Sequence, residues 1–296
     1  MSSRKVDFAG RTGLAISFAL ASAVVLATMD AFTKLLVQDY PVVMVAWARF
    51  GVMAMLYGAL AYRSFGCRMF RPRLMRTQCL RAAAVVFATL AFYEGLVFLP
   101  LAECIAIVFI APILTALFSG RYLQEHATAA TWTALAGSFL GALLIVRPGG
   151  DLFTWAALFP LIAAVGLALY QVTTRIVTQT DDPRVTMFFS SSVAFAAFSL
   201  ILPFGFAAPL SGTDFGLMLL VGVLGAAGQL MLTFAFRYAQ APLVASVGYS
   251  AIVAAAALGW LMFGHVPDAW SVLGMAIVAA FGLILVLGRR SMNKGL

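Results

Sequence analysis

Ten apolar runs of roughly twenty residues, joined by short polar, proline- or glycine-bearing connections, leave this chain few ways to fold. A helix needs roughly 20 residues to cross ~30 Å of hydrocarbon at ~1.5 Å per residue. Inside lipid every backbone polar group must also be bonded within the protein. The runs cover residues 13–36, 41–62, 79–98, 101–119, 130–146, 155–175, 185–207, 215–236, 242–263 and 269–287. They predict an all-α polytopic membrane protein with ten transmembrane helices. The composition agrees, at 63% hydrophobic and 10% charged, where a soluble domain carries about 25% charged residues. The first run is longer than the roughly 7–15 residues of a signal-peptide core, so it reads as a retained span.

The basic residues set an orientation. With the N-terminus inside, sixteen of the 19 Lys and Arg fall on the cytoplasmic side, among them Arg63, Arg68, Arg71, Arg73, Arg76, Arg81, Arg121, Arg175, Arg184 and Arg237. Only Arg147 falls outside, and Lys34 and Arg49 lie within spans. This is the positive-inside pattern, and an even span number returns the C-terminus to the cytoplasm. The +8 net charge is therefore a topology signal, and no nucleic-acid partner is expected. Cys67, Cys79 and Cys104 are too scattered for a disulfide framework, and His126 and His265 have no partner at metal-ligand spacing. No metal, cofactor, catalytic residue or enzymatic activity is expected.

The sequence repeats itself. "MDAFTKLL" aligns with "LYQVTTRIV" at an offset of 141, pairing Asp30 with Gln171, Thr33 with Thr174 and Lys34 with Arg175. At an offset of 142, Pro41 pairs with Pro183 and Pro100 with Pro242, and Trp132 and Trp270 open the fifth and tenth spans alike. The expected domains are residues 1–150 and 151–296, five spans each. An odd number of spans per half inserts the second half upside down, the inverted repeat common in secondary transporters.

The blocks "FYEGLVFLPLAECIAIVFIAPILTALFSGRYLQE" and "TFAFRYAQAPLVASVGYSAIVAAAALGWLMFG", the "GSFLGALLIVRPG" segment and Arg49 within "WARF" resemble the EamA branch of the drug/metabolite transporter superfamily, over almost the whole chain. The resemblance implies spans 1–4 and 6–9 around a central cavity, with spans 5 and 10 peripheral. It also implies a secondary transporter exporting small metabolites, first of all aromatic or other hydrophobic amino acids, across a bacterial inner membrane. Carriers of riboflavin or S-adenosylmethionine are the alternative within the same superfamily, and a channel or accessory membrane protein the remote one. One departure is visible: Glu125 follows the fourth span, but the equivalent place after the ninth reads "FGHVPD", with His265.

Ionisable residues within spans cost roughly 2.5–3.5 kcal/mol each and need partners, water or a role. Asp30 and Lys34 stand one helical turn apart and can pair. Arg49 on the next span can reach Asp30 or Glu94. This cluster reads either as a charge-paired gate on the substrate pathway or as a structural ion pair, and Glu94 as the candidate for proton coupling. Trp47, Tyr93, Gln171, Gln229, Tyr249 and Ser250, together with Tyr170, are the polar and aromatic candidates for the pathway. Arg175 and Arg237 are expected to snorkel to the cytoplasmic surface. Pro112 and Pro160 are expected to kink their helices. Gly137 and Gly141 form a GxxxG pair that permits close helix contact or dimerisation, although a monomer is expected. With no ATP-binding motif, transport is expected to be gradient-driven or facilitated.

Overall fold

Alanines at every fourth position of the first helix show how this bundle is held together. Ala15, Ala19, Ala23, Ala27 and Ala31 form a fully buried stripe, and Ser22 on the same face donates a 2.9 Å hydrogen bond to the Gly228 carbonyl. In lipid, helices associate through close packing of small residues and interhelical hydrogen bonds, with no hydrophobic drive between them. The computed structural model describes residues 8–99, 101–125, 127–146, 155–204, 211–263 and 269–292. The readings at Pro100, His126, Arg147, Gly150 and His265 lie outside the described residues.

The helices are α1 (Phe8–Asp39), α2 (Val42–Phe65), α3 (Met75–Phe98), α4 (Leu101–Val108), α5 (Ala111–Tyr122), α6 (Ala129–Val146), α7 (Leu158–Val177), α8 (Pro183–Ile201), α9 (Gly212–Tyr238), α10 (Ala241–Val247), α11 (Ser250–Phe263) and α12 (Ala269–Met292). Six of them, α1, α2, α3, α7, α8 and α9, lie in segments long and apolar enough to cross a membrane. With α6, α12 and the α4–α5 and α10–α11 pairs, they make ten spans in two five-helix repeats. The main contacts are α1 with α9, α3 with α7, α2 with α8 and α6 with α12. That pattern maps onto itself when the two repeats are exchanged, because α1 and α7 are equivalent, as are α3 and α9. The protein is thus an all-α, multi-pass membrane protein with an inverted repeat.

The fourth and ninth spans, expected as continuous helices, are each broken near the middle. Between α4 and α5, Ile110 N–H bonds the Ile107 carbonyl, three residues back. Pro112 at the start of α5 has no N–H to offer the Val108 carbonyl. Between α10 and α11, Ala251 and Ile252 bond Gly248 and Tyr249 with the same three-residue step, the tighter winding of a 3₁₀ turn. Pro160, by contrast, falls in the first turn of α7. An N–H there has no intrahelical acceptor, so the proline needs no kink.

The GxxxG pair is used inside the molecule. A Cβ at Gly141 would stand 2.8 Å from the Gly274 carbonyl oxygen and 2.9 Å from Val278 Cγ2, and one at Gly137 would overlap the Phe281 ring. Gly141→Ala therefore forces α6 and α12 apart, against backbone that cannot rotate away. A loss of about 1–3 kcal/mol is expected, read as a lower thermal unfolding midpoint in detergent. Gly13→Ala, with nothing within 4 Å of the added carbon, is the control. Equal midpoints for the two variants would show that the α6–α12 contact carries no stability.

A central cavity between the two repeats

A cavity of about 160 Å³ lies among α1, α2, α3, α4, α7 and α9. Leu26, Met29, Val85, Phe92 and Leu167 give it apolar walls, and Asp30, Arg49, Thr89, Tyr93, Tyr170 and Gln229 its polar groups. Five of these six polar residues were singled out from sequence; Thr89 was not. A second void of about 10 Å³, room for about one water, shares Arg49, Tyr170 and Gln229 and adds Ser190 and Ser191.

The polar groups are held by specific contacts. Arg49 Nη1 donates to the Tyr93 hydroxyl at 3.0 Å, and its guanidinium lies 5.2 Å from the Phe50 ring centre. Tyr170 donates to Gln229 Oε1 at 3.2 Å. Arg81, assigned by sequence to the cytoplasmic surface, is instead 0% exposed inside the bundle. It donates to Tyr170 Oη at 2.6 Å, Thr174 Oγ1 at 2.7 Å, the Thr186 carbonyl at 3.1 Å and Ser190 Oγ. Its guanidinium stacks 4.4 Å from the Tyr170 ring centre.

The other candidates fall outside this cavity lining. Lys34 does not pair with Asp30. Its ammonium donates to the Leu96 carbonyl at 2.5 Å and the Leu99 carbonyl at 3.3 Å, satisfying the free end of α3. Trp47 Nε1 donates to Ser199 at 2.9 Å in the α2–α8 contact. Glu94 is half-buried and has no hydrogen-bond or ion-pair partner among the described residues, Arg49 included. Gln171 accepts from Thr115 at 2.9 Å, joining α5 to α7. Tyr249 donates to the Phe109 carbonyl at 2.8 Å and stacks on the Phe109 ring, so it ties the two helix breaks together. Ser250 Oγ beside it is buried without a partner.

Two contacts join helices at one end of the bundle, and their repeat equivalents do the same at the other. Where Lys34 holds the last carbonyls of α3, Arg175 holds those of α9, donating to Phe236 O at 2.9 Å and Arg237 O at 3.3 Å. Where Tyr40 donates to Asp214 at 2.8 Å, Asp181, also at an offset of 141, accepts from the Arg73 N–H at 3.1 Å. Arg175 does not snorkel; at 8% exposure it is clamped. It has what Lys34 lacks among the described residues, a carboxylate partner: Glu125 lies 2.8 Å from Nη2 and 2.9 Å from Nε. The other Glu125 oxygen accepts the Ala241 N–H at 3.0 Å, at the start of α10. Arg237 reaches Asp182 at 3.3 Å.

Ten spanning helices in two oppositely inserted repeats around a central cavity define the architecture of a secondary transporter. The chain matches the EamA-like transporter family over residues 13–147 and 154–288, and it belongs to that family, within the drug/metabolite transporter superfamily. It is 28% identical to a riboflavin transporter of Rhizobium johnstonii, over 83% of this chain and 82% of that protein. It is 30% identical to the pseudopaline exporter CntI of Pseudomonas aeruginosa, over 65% of this chain and 69% of that one. With an S-adenosylmethionine uptake transporter of Rickettsia conorii it shares 24% identity over 73% of each. A solved crystal structure with 15% identity superposes with a TM-score of 0.79, covering 95% of this chain and 98% of that one, and shares the fold. The chain is a membrane transporter of small metabolites and not an enzyme.

Proposed function

We propose that this protein exports small metabolites, amino acids foremost, across a bacterial inner membrane by alternating access. In this reading both termini are cytoplasmic, the protein works as a monomer, and the two repeats divide near residue 150. One observation carries the proposal: the central cavity stands between two sets of end contacts that are equivalent under the repeat. Exchanging which set is broken converts an inward-open state into an outward-open one around a fixed site. A channel needs no such matched pair.

A second reading, a riboflavin- or S-adenosylmethionine-type carrier, is favoured by the names of the relatives. Against riboflavin stands the cavity itself, which at about 160 Å³ falls short of the roughly 300–1,000 Å³ of ordinary ligand pockets. A tricyclic ring system would have to widen it. The test is flux of labelled amino acids, riboflavin and S-adenosylmethionine in proteoliposomes, with and without a pH gradient. Saturable amino-acid flux with counter-transport is the expected result. Flux of riboflavin alone would replace the substrate and keep the carrier, whereas unsaturable, current-like flux would remove alternating access.

A further inference from the structure

Asp30 and Arg49 face the same cavity without bonding each other. Asp30 has no hydrogen-bond or ion-pair partner among the described residues. Arg49 is 6% exposed, yet only its Nη1 is engaged, by Tyr93. Its Nε is buried with no partner at all. The Nε/Nη2 edge is thus unused, and that is an edge with which a guanidinium grips a carboxylate in two-pronged fashion. Gly225 packs beside it, where an added Cβ would stand 3.1 Å from Nε, while Nη2 makes no hydrogen bond among the described residues and Arg49 lines the cavity. A buried donor left without an acceptor is destabilising, and more so where it is charged. Here the unmet donor belongs to a residue that lines the cavity. Gln229 adds a side-chain amide on the Arg49 side, its Oε1 already held by Tyr170.

We propose that Asp30 and Arg49 form a divided site for a solute carrying both an ammonium and a carboxylate, an α-amino acid with an apolar side chain. The assignment rests on the reading of this cavity as the substrate site. The ammonium is met by Asp30 on α1, and the carboxylate by the free edge of Arg49 on α2. The side chain lies against Phe92, Leu167 and Met29. A bound zwitterion completes two half-pairs that the protein leaves open, and a solute with only one of the charges leaves the other half-pair unmet inside the bilayer. The site therefore selects by rejection as much as by attraction. It disfavours the neutral ring of riboflavin for the same reason.

The test is equilibrium binding of tritiated L-phenylalanine and L-leucine to the purified full-length protein in detergent, with phenethylamine and hydrocinnamate as competitors. Each competitor lacks one of the two charges. In wild type both are expected to compete at least about tenfold more weakly than L-phenylalanine, as befits one lost charged hydrogen bond. Asp30→Asn is expected to erase the preference over hydrocinnamate and keep that over phenethylamine; Arg49→Gln does the reverse. The wild-type competition decides the matter even if a variant fails to fold. The proposal is overturned if neither amino acid binds, or if either single-charge analogue competes as well as the parent. Should amino-acid binding fail while riboflavin flux persists in proteoliposomes, the divided site falls and the carrier stands. Should no solute be carried at all, the carrier reading falls with it.

Discussion

Glu125→Ala is expected to cost about 3 kcal/mol of stability and to open the cytoplasmic end of the bundle. Removing one partner of a buried ion pair typically costs about 3–5 kcal/mol, because the other charge is left stranded. The side chains of Arg175 and Glu125 are only 9% and 15% exposed, so water screens little of this. The lower end of the range applies, since Arg175 keeps two carbonyl acceptors on α9. The Ala241 N–H also loses its acceptor at the start of α10. Glu125 follows α5, Arg175 is on α7 and Ala241 opens α10, so a single carboxylate joins the first repeat to the second at two points.

The conformational consequence follows from the repeat. Lys34 performs for α3 on the outer side what Arg175 performs for α9 on the inner side, but with carbonyls alone among the described residues. The inner closure is the stronger by one ion pair, and deleting it tips the balance toward an inward-open state. A bias of about 3 kcal/mol corresponds to roughly a 150-fold change in population. A cysteine placed at Ser119, fully buried at the inner end of α5, in a background with Cys67, Cys79 and Cys104 replaced by serine, reports it. Its labelling by a membrane-impermeant thiol reagent from the cytoplasmic face is expected to rise sharply in Glu125→Ala and less in Glu125→Gln. Unchanged labelling together with an unchanged melting midpoint would show that Glu125 is not part of a closure.

The spans and the repeat were legible in the sequence because hydropathy and internal offset are one-dimensional signals. What a side chain touches was legible only in part. The turn-to-turn spacing of Asp30 and Lys34 invited a pair, yet the stronger acceptors for Lys34 are backbone carbonyls at the end of α3, which no residue pattern announces. The alignment of Lys34 with Arg175 did hold the clue, since a shared offset means a shared task. Facing is a matter of helical angle. Tyr93 lines the cavity and Glu94, about 100° further round α3, does not; Arg49 lines it and Trp47, two residues back, turns to α8. Arg81 was misplaced because the apolar run begins at Cys79, and an arginine so near its start reads as an interfacial one. The helix starts at Met75, so Arg81 is already in its second turn and inside the bundle.

Arg81 yields the sharpest separation of packing from function. It is a fully buried cation with no carboxylate among its described partners, and a fold does not keep such a group for stability. Each hydroxyl it binds already spends its own proton elsewhere: Thr174 on the Tyr170 carbonyl, Ser190 on the Thr186 carbonyl, Tyr170 on Gln229. Removing Arg81 therefore strands no buried hydroxyl proton and returns the desolvation cost of the charge. Methionine, of similar reach, is expected to leave the melting midpoint within about 1 kcal/mol of wild type, as when buried ionic groups give way to apolar ones of like volume. Alanine leaves a void, and a loss of about 2–5 kcal/mol is expected. Transport should not follow stability. Arg81 stacks on one face of Tyr170 and donates to its hydroxyl, which donates in turn to Gln229 in the cavity wall, so Arg81→Met removes two of the contacts that position the ring. Solute affinity should fall about tenfold, the equivalent of one hydrogen bond of ~1.4 kcal/mol. Arg81→Lys should fall likewise, because an ammonium cannot reproduce the fork that reaches four acceptors on α7 and α8. Thermal melts and saturation binding on the three variants decide the point. If Arg81→Met unfolds as readily as Arg81→Ala, the cation is structural, and if it binds solute as wild type does, Tyr170 needs no arginine behind it.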